Sequence, residues 1–141
     1  MQASPPALIE QLHDAMNRHD LESFLACFDA NYQSEQPAHP NRAFVGREQV
    51  RKNWGAIFTA VPDLRVDLLR TAEEGDTIWS EWHWQGRQQD GTALDMRGVI
   101  LFGMEKGRIT WGRLYMEDTE MAGADINAAV RGMTTVQSGD R

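Results

Sequence analysis

Glu81 and His83 stand two residues apart in the run from Thr77 to Gly86, and a β-strand turns alternate side chains to one face. A carboxylate beside an imidazole is the smallest unit of general acid–base chemistry. The imidazole titrates near neutrality, and the carboxylate orients it and raises its pKa. The same pair also serves as a structural ion pair. Glu35 in a short early strand and His13 on an apolar helix face are further groups of this kind. His13, flanked by Ile9 and Met16, reads as a pocket-wall or satisfied core histidine. His13, Glu35, Glu81 and His83 lack compact ligand spacing, so no metal and no other cofactor is expected. The sequence has no Gly-rich phosphate loop and no Ser nucleophile elbow. Cys27, the only cysteine, lies in an apolar run beside Leu25 and Phe28 and reads as a small hydrophobe.

The elements that must position these groups follow from periodicity. Leu8, Ile9, Leu12, Ala15 and Met16 recur at helical spacing, which predicts a helix over residues 5–18. Asp20 is placed to cap a second, short helix carrying Leu21, Phe24, Leu25 and Phe28. A short extended segment from Tyr32 to Pro37 and a loop ending at Gly46 follow. Val50, Trp54, Ile57, Phe58 and Val61 then form a third helical stripe, stopped by Pro62. Beyond it, turn residues separate four strands, Leu64–Thr71, Thr77–Gly86, Ala93–Met104 and Arg108–Met116, which read as an antiparallel meander. A single helical turn around Ile126 to Val130 and fraying from Gly139 to Arg141 are expected at the C-terminal end.

A chain of 141 residues with 41% apolar and 25% charged residues fits one α+β domain, residues 1–141, with a structured core over about 7–118. With 14 basic and 21 acidic residues the net charge is −7, and the basic residues are scattered. Nucleic-acid binding therefore lacks its electrostatic footprint. No run is long enough to cross a bilayer or act as a signal segment, so a soluble, cytoplasmic protein is expected.

Alternation places Trp79, Glu81, His83 and Gln85 on one face of their strand and Ile78, Ser80, Trp82 and Trp84 on the other. In an ordinary one-sided antiparallel sheet the Trp-rich face packs on the helices and the Glu81/His83 face is wet.

The order of elements resembles the nuclear transport factor 2-like superfamily, in particular its SnoaL-like polyketide cyclase branch. The resemblance spans residues 7–118. It rests on Arg18-His19-Asp20-Leu21, Phe28-Asp29-Ala30-Asn31-Tyr32, Gly46-Arg47-Glu48, Pro62-Asp63-Leu64, Gly75-Asp76, and Gly107-Arg108-Ile109 leading to Tyr115-Met116-Glu117-Asp118. It implies a cone-shaped α+β barrel, three N-terminal helices packed in a curved, mainly antiparallel sheet around a pocket. It also reverses the face assignment. Glu81 and His83 turn inward, with His83 and Glu81 as the catalytic candidates. His13, Met16, Glu35, Gln36, Trp54, Ile57, Val61, Gln85, Met96, Gly98, Leu114 and Met116 then line the pocket. Trp82, Trp84, Val99, Leu101, Trp111 and Tyr115 become a homodimer surface.

The sequence departs from each catalytic pattern of these relatives. Leu114 stands where SnoaL-like cyclases and limonene epoxide hydrolases resemble one another in having a last-strand Asp. Glu81 and His83 take the places of the hydrolases' Arg and Asp. Gln36 precedes Pro37 where ketosteroid isomerases have an Asp, and Gly98 falls near their acidic oxyanion donor. The resemblance implies two functions. One is a cofactor-independent isomerase, cyclase or hydrolase acting on a small, largely apolar molecule. The other is a non-catalytic ligand-binding or accessory dimer module that has lost the family acid.

Overall fold

The computed structural model describes residues 5–139, with side chains through residue 134; the start before Pro5, and Asp140 and Arg141 of the expected frayed end, lie outside the described residues. Helix α1 spans Ala7–Arg18 and buries Ile9, Leu12, Ala15 and Met16, the apolar stripe set by its 3.6-residue period. It ends on His19 in the left-handed region at φ 55°. There the His19 N–H donates to the Met16 carbonyl and the Asp20 N–H to that of Ala15, which satisfies the last helical acceptors. The His19 ring stacks on Phe58 and its Nε2 lies 2.8 Å from the Leu64 carbonyl, so this turn also fixes where the sheet begins. Asp20 caps α2, Leu21–Leu25, by accepting the Ser23 N–H at 3.1 Å.

Strand β1 (Phe28–Glu35) starts four residues earlier than its composition suggests. A turn of 3-10 helix (Pro40–Arg42) and the two-residue β2 (Phe44–Val45) lead to α3 (Arg47–Ala60). The meander follows as β3 (Arg65–Glu74), β4 (Thr77–Arg87), β5 (Ala93–Glu105) and β6 (Arg108–Asp118). The sheet order is β2-β1-β6-β5-β4-β3, with β1 parallel to β6 and every other pair antiparallel. The sheet wraps the helices as an NTF2-like cone but does not close, because β2 and β3 remain edges. The β3 edge is blunted by α1. Asn17 Oδ1 accepts the Val66 N–H, while Asn17 Nδ2 and His13 Nε2 meet the Val66 carbonyl at 3.0 and 2.9 Å.

Register decides which face of β4 is inside. Trp82 lies opposite Leu68 and Gly98, and Trp84 opposite Val66 and Met96. Trp82 is 1% exposed and Trp84 7%. The inner face therefore carries Ile78, Ser80, Trp82 and Trp84 beside Met96, Ile100, Phe102, Leu114 and Met116. Glu81 and His83 point to the outer face with Trp79, Arg97, Val99, Leu101, Arg113 and Tyr115. This corrects the inward placement of Glu81 and His83 and the assignment of Trp82 and Trp84 to an outer dimer surface. The reason is physical: two indoles each bury an area on the order of 200 Å², whereas a carboxylate turned inward would have to be desolvated. A one-residue slip in register exchanges the two sets. Val99, Leu101, Trp111 and Tyr115 do lie outside, joined by Trp79.

Helix α4 (Ile126–Gly139) replaces the single turn expected there, with Ile126, Val130 and Met133 exposed. Among the described residues no helix is long and apolar enough to cross a membrane.

Candidate functional site

The helices and the inner face of the sheet bound a cavity of about 230 Å³. Leu12 and Met16 reach it from α1, Phe24 from α2, and Val50, Asn53, Trp54 and Ile57 from α3. The sheet supplies Tyr32, Ser34, Trp82, Trp84, Met96, Ile100, Phe102 and Leu114, and Gln36 and Phe44 stand where the loop after β1 passes. A string of rings stiffens one wall. Tyr32 packs on Phe28 at 4.9 Å, Phe28 on Phe24 at 5.1 Å, Phe24 on Trp54 at 5.2 Å, and Trp54 meets Trp84 edge-on at 5.3 Å.

The polar groups of the wall are few and neutral. Burial pushes the Tyr32 phenol up to about 12, opposed by a hydrogen bond with Ser34. It remains a protonated phenol at physiological pH. Gln36 Oε1 accepts from Arg42 Nη1 at 3.0 Å, and Asn53 Oδ1 from Gln49 Nε2 at 2.8 Å. The Trp82 indole N–H donates to Ser80 Oγ at 2.7 Å, whose own proton goes to the Ile100 carbonyl at 2.7 Å. Trp84, two residues on along the same face, has no acceptor for its buried Nε1–H. Among the described residues, no carboxylate, imidazole, amine, guanidinium or thiol lines the cavity.

Of the residues expected in the pocket, Met16, Gln36, Trp54, Ile57, Met96 and Leu114 line it. His13 is held behind the wall by the Val66 carbonyl, with its ring 5.8 Å from that of Trp82. Val61 and Met116 are buried in the core beside the cavity. Gly98 lies between Trp82 and Met116, where a Cβ would collide with the Tyr115 backbone. Glu35 turns outward to Arg113 at 3.5 Å, and the Gln85 amide donates to Asp67 at 3.3 Å.

On the outer face Glu81 pairs with Arg70 at 3.0 Å rather than with His83. His83 Nε2 lies 3.1 Å from both carboxylate oxygens of Asp95, a residue whose role the sequence reading missed. Asp95 sits diagonally across the β4–β5 ladder from His83, opposite Gln85. Counting back from the turn at Asp90-Gly91 would have found it. The Thr119 hydroxyl nearby, then the hydrogen-bonded His83, hold the Asp95 carboxyl below its usual range. Cys27 is buried, and desolvation pushes its thiol up to about 11, as suits a core hydrophobe.

No curated protein matches the chain in sequence. Solved structures share its fold at low identity. A SnoaL-like polyketide cyclase fold from Jannaschia sp. CCS1, described as putative, aligns over 94% of this chain and 96% of its own at 20% identity, TM-score 0.68. RV0760c from Mycobacterium tuberculosis, solved with estradiol-17beta-hemisuccinate, aligns over 77% and 89% at 22% identity, TM-score 0.66. A protein with a ketosteroid isomerase-like fold from Catenulispora acidiphila, solved with trimethylamine, aligns over 78% and 85% at 17% identity, TM-score 0.66. The SnoaL-like domain model matches residues 9–112, from the first turn of α1 into the first half of β6, and on that span the chain belongs to the SnoaL-like family.

Proposed function

We propose that this SnoaL-like chain binds a small, largely apolar molecule in the cavity without acid–base chemistry on it, as a carrier, sensor or accessory module. The observation that carries this reading is the chemistry of the wall. Its one titratable side chain among the described residues is Tyr32, protonated up to about 12. General acid–base catalysis needs a group whose pKa lies near the working pH. The place of the family's last-strand acid is taken by Leu114, an apolar part of the wall. The remaining wall of aromatic and aliphatic groups with a few neutral polar ones has the make-up of a small-molecule site. Both neighbours solved with small molecules, estradiol-17beta-hemisuccinate and trimethylamine, share the fold.

The outer face supports a dimer as part of the same reading. Trp79 and Tyr115 are 47% and 41% exposed beside Val99, Leu101 and Trp111, a patch that a second copy would cover.

The test is native mass spectrometry and ligand titration of the parent and of Leu114→Trp, which places a large ring in the cavity. The parent should retain or take up a small hydrophobic molecule, and the filled variant, with unchanged circular dichroism, should not. An intact parent that catalyses turnover of its ligand, with activity lost in His83→Ala or Tyr32→Phe, would overturn the non-catalytic reading.

A further inference from the structure

Helix α4 presents its apolar residues to water. Ile126, Val130 and Met133 recur at i, i+4 and i+7, one side of a helix, and are 74%, 47% and 70% exposed. Among the described residues α4 packs closely on no other element. An isolated helix of 14 residues is marginal in water and ordinarily draws its stability from a packed apolar face. Composition points the same way. Arg131 is the single charged residue of Ile126–Gly139 in a chain that is 25% charged, whereas a surface helix ordinarily carries charge on its outer side. The outer face of the sheet offers a matching surface. Trp79 lies opposite Leu101 on β4 and β5, and Val99 opposite Tyr115 on β5 and β6. The ion pairs Arg70–Glu81, Arg113–Glu35 and His83–Asp95 border them, giving the apolar centre and polar rim of an interface. The stripe from Ile126 to Met133 is about 10 Å long, and the strands β4, β5 and β6 side by side span about the same width. The segment leading to α4 leaves the sheet on this side. The Thr119 N–H donates to the Asp95 carbonyl, and Met121 lies in an outer groove with Arg65, Gln85 and Asp95.

Resting on the dimer proposed above for the outer face, we infer that α4 is an exchanged arm: the Ile126–Val130–Met133 stripe of each protomer lies across the outer face of the other, between Trp79 and Tyr115. Within its own chain α4 stands clear of that face, which leaves the face to a second copy. Area favours a copy that brings its helix over one that brings the sheet face alone. Trp79 and Tyr115, rings of about 150–250 Å² that are 47% and 41% exposed, offer on the order of 200 Å². A stable interface covers about 800 Å² per partner. Two reciprocal arms about a two-fold axis add the helix stripe and the patch beneath it on both protomers, so both exposed apolar surfaces are paired at once.

Light scattering over a range of concentrations measures the dimer of the full-length parent and of a variant combining Val130→Asp with Met133→Asp, positions exposed in the single chain. The double variant should raise the dimer dissociation constant about 100-fold or more, with the near-UV circular dichroism of the buried tryptophans unchanged. Trp79→Glu, which breaks the same contact from the other side, should also lose the far-UV helical signal of α4, because the helix then has nothing to pack on. The owner of the face is identified by NMR. An unlabelled chain carrying a nitroxide at Met133→Cys is mixed with isotope-labelled parent, Cys27 being buried and out of the label's reach. The indole N–H resonances of Trp79 and Trp111 in the labelled copy should broaden. A dissociation constant unchanged in the double variant, or no broadening in the mixed sample, would overturn the arm while leaving a sheet-face dimer intact. Broadening seen only when nitroxide and isotope share one chain would place α4 on its own sheet and overturn the exchange. A parent that is monomeric at every concentration would overturn the dimer itself, and the arm with it.

Discussion

The two inward tryptophans of β4 offer a controlled comparison, because Trp82 and Trp84 share a strand, a face and near-complete burial but not a hydrogen bond. Replacing either by Phe removes about 40 Å² of buried surface, about 1 kcal/mol at the usual coefficient. At Trp82 the change also deprives Ser80 Oγ of its donor, which adds about 1–1.5 kcal/mol, for a cost of about 2–2.5 kcal/mol. At Trp84 the change deletes a buried donor that has no partner. Removing it returns about 1–3 kcal/mol, so the net effect runs from about zero to about 2 kcal/mol of stabilisation. The expected gap between the variants is thus at least about 2 kcal/mol, or roughly 8 °C in Tm for a chain of this length. Urea and thermal unfolding of both variants at one pH, followed by far-UV circular dichroism, measures it. A third variant, Ser80→Ala, should strand the Trp82 N–H and cost about 2 kcal/mol in the parent but well under 1 kcal/mol when Trp82 is already Phe. If Trp82→Phe and Trp84→Phe destabilise equally within about 0.5 kcal/mol, the assignment of Trp84 as an unsatisfied donor is wrong.

Three further outcomes follow from the same structure. The Asp95 carboxyl is held low by Thr119 and then His83, so its stabilising contribution is present above the ordinary carboxylate pKa of about 4 and is lost as pH falls through its lower folded value. Asp95→Asn should therefore melt below the parent at pH 6 and converge with it at strongly acidic pH; a constant gap in thermal melts across that range would exclude the carboxylate as the cause. Affinity for a neutral ligand should be flat between about pH 5.5 and 9, because Tyr32 is the sole titratable group of the wall among the described residues and stays protonated to about 12; a step near neutrality in calorimetric titrations would implicate an imidazole instead. Trp79→Glu, at a position already 47% exposed, should turn a dimeric parent into a folded monomer by multi-angle light scattering, and a monomeric parent would remove the dimer from the reading.

The sequence carries most of the fold because its signals are local. The helical stripes of α1 and α3, the Asp20 cap and the Gly-centred turns each name their element without reference to the rest of the chain. The orientation of β4 is of another kind, since period-2 alternation gives two faces and no label for inside. Two rules competed for that label. Plain burial of the bulkier apolar set turns Trp82 and Trp84 inward, whereas aligning Glu81 and His83 with the catalytic strand of distant relatives turns them outward. The structure follows burial. On β5 and β6 alternation alone sets Met96, Ile100 and Leu114 with Glu81 and His83, whereas the register across β4–β6 sets them beside Trp82 and Trp84. What the sequence could not disclose is the pairing of polar groups across elements: Asp95 with His83, Arg42 with Gln36, and the lack of any partner for Trp84. Those depend on register and on the approach of a loop, and neither leaves a trace in spacing.

These cross-element pairings also explain how the cavity stays neutral in a chain with 35 acidic and basic residues. The pairs Arg70–Glu81, Arg113–Glu35, His83–Asp95 and His39–Glu117 involve strands bordering the cavity, yet none of their members lines it. Arg42 reaches the site through the oxygen of Gln36, which takes up its donor and leaves the amide uncharged. Leu114 on the wall would not by itself produce a space free of charge. That freedom comes from the alternation of the strands, which sends Glu35, Glu81, His83, Asp95, Arg97 and Arg113 to the outer face once Trp82 and Trp84 are committed to the inner one. The face that alternation fills with charge is then also the face left open for a second subunit, so the orientation of β4 sets the chemistry of the pocket and the character of the outer surface together.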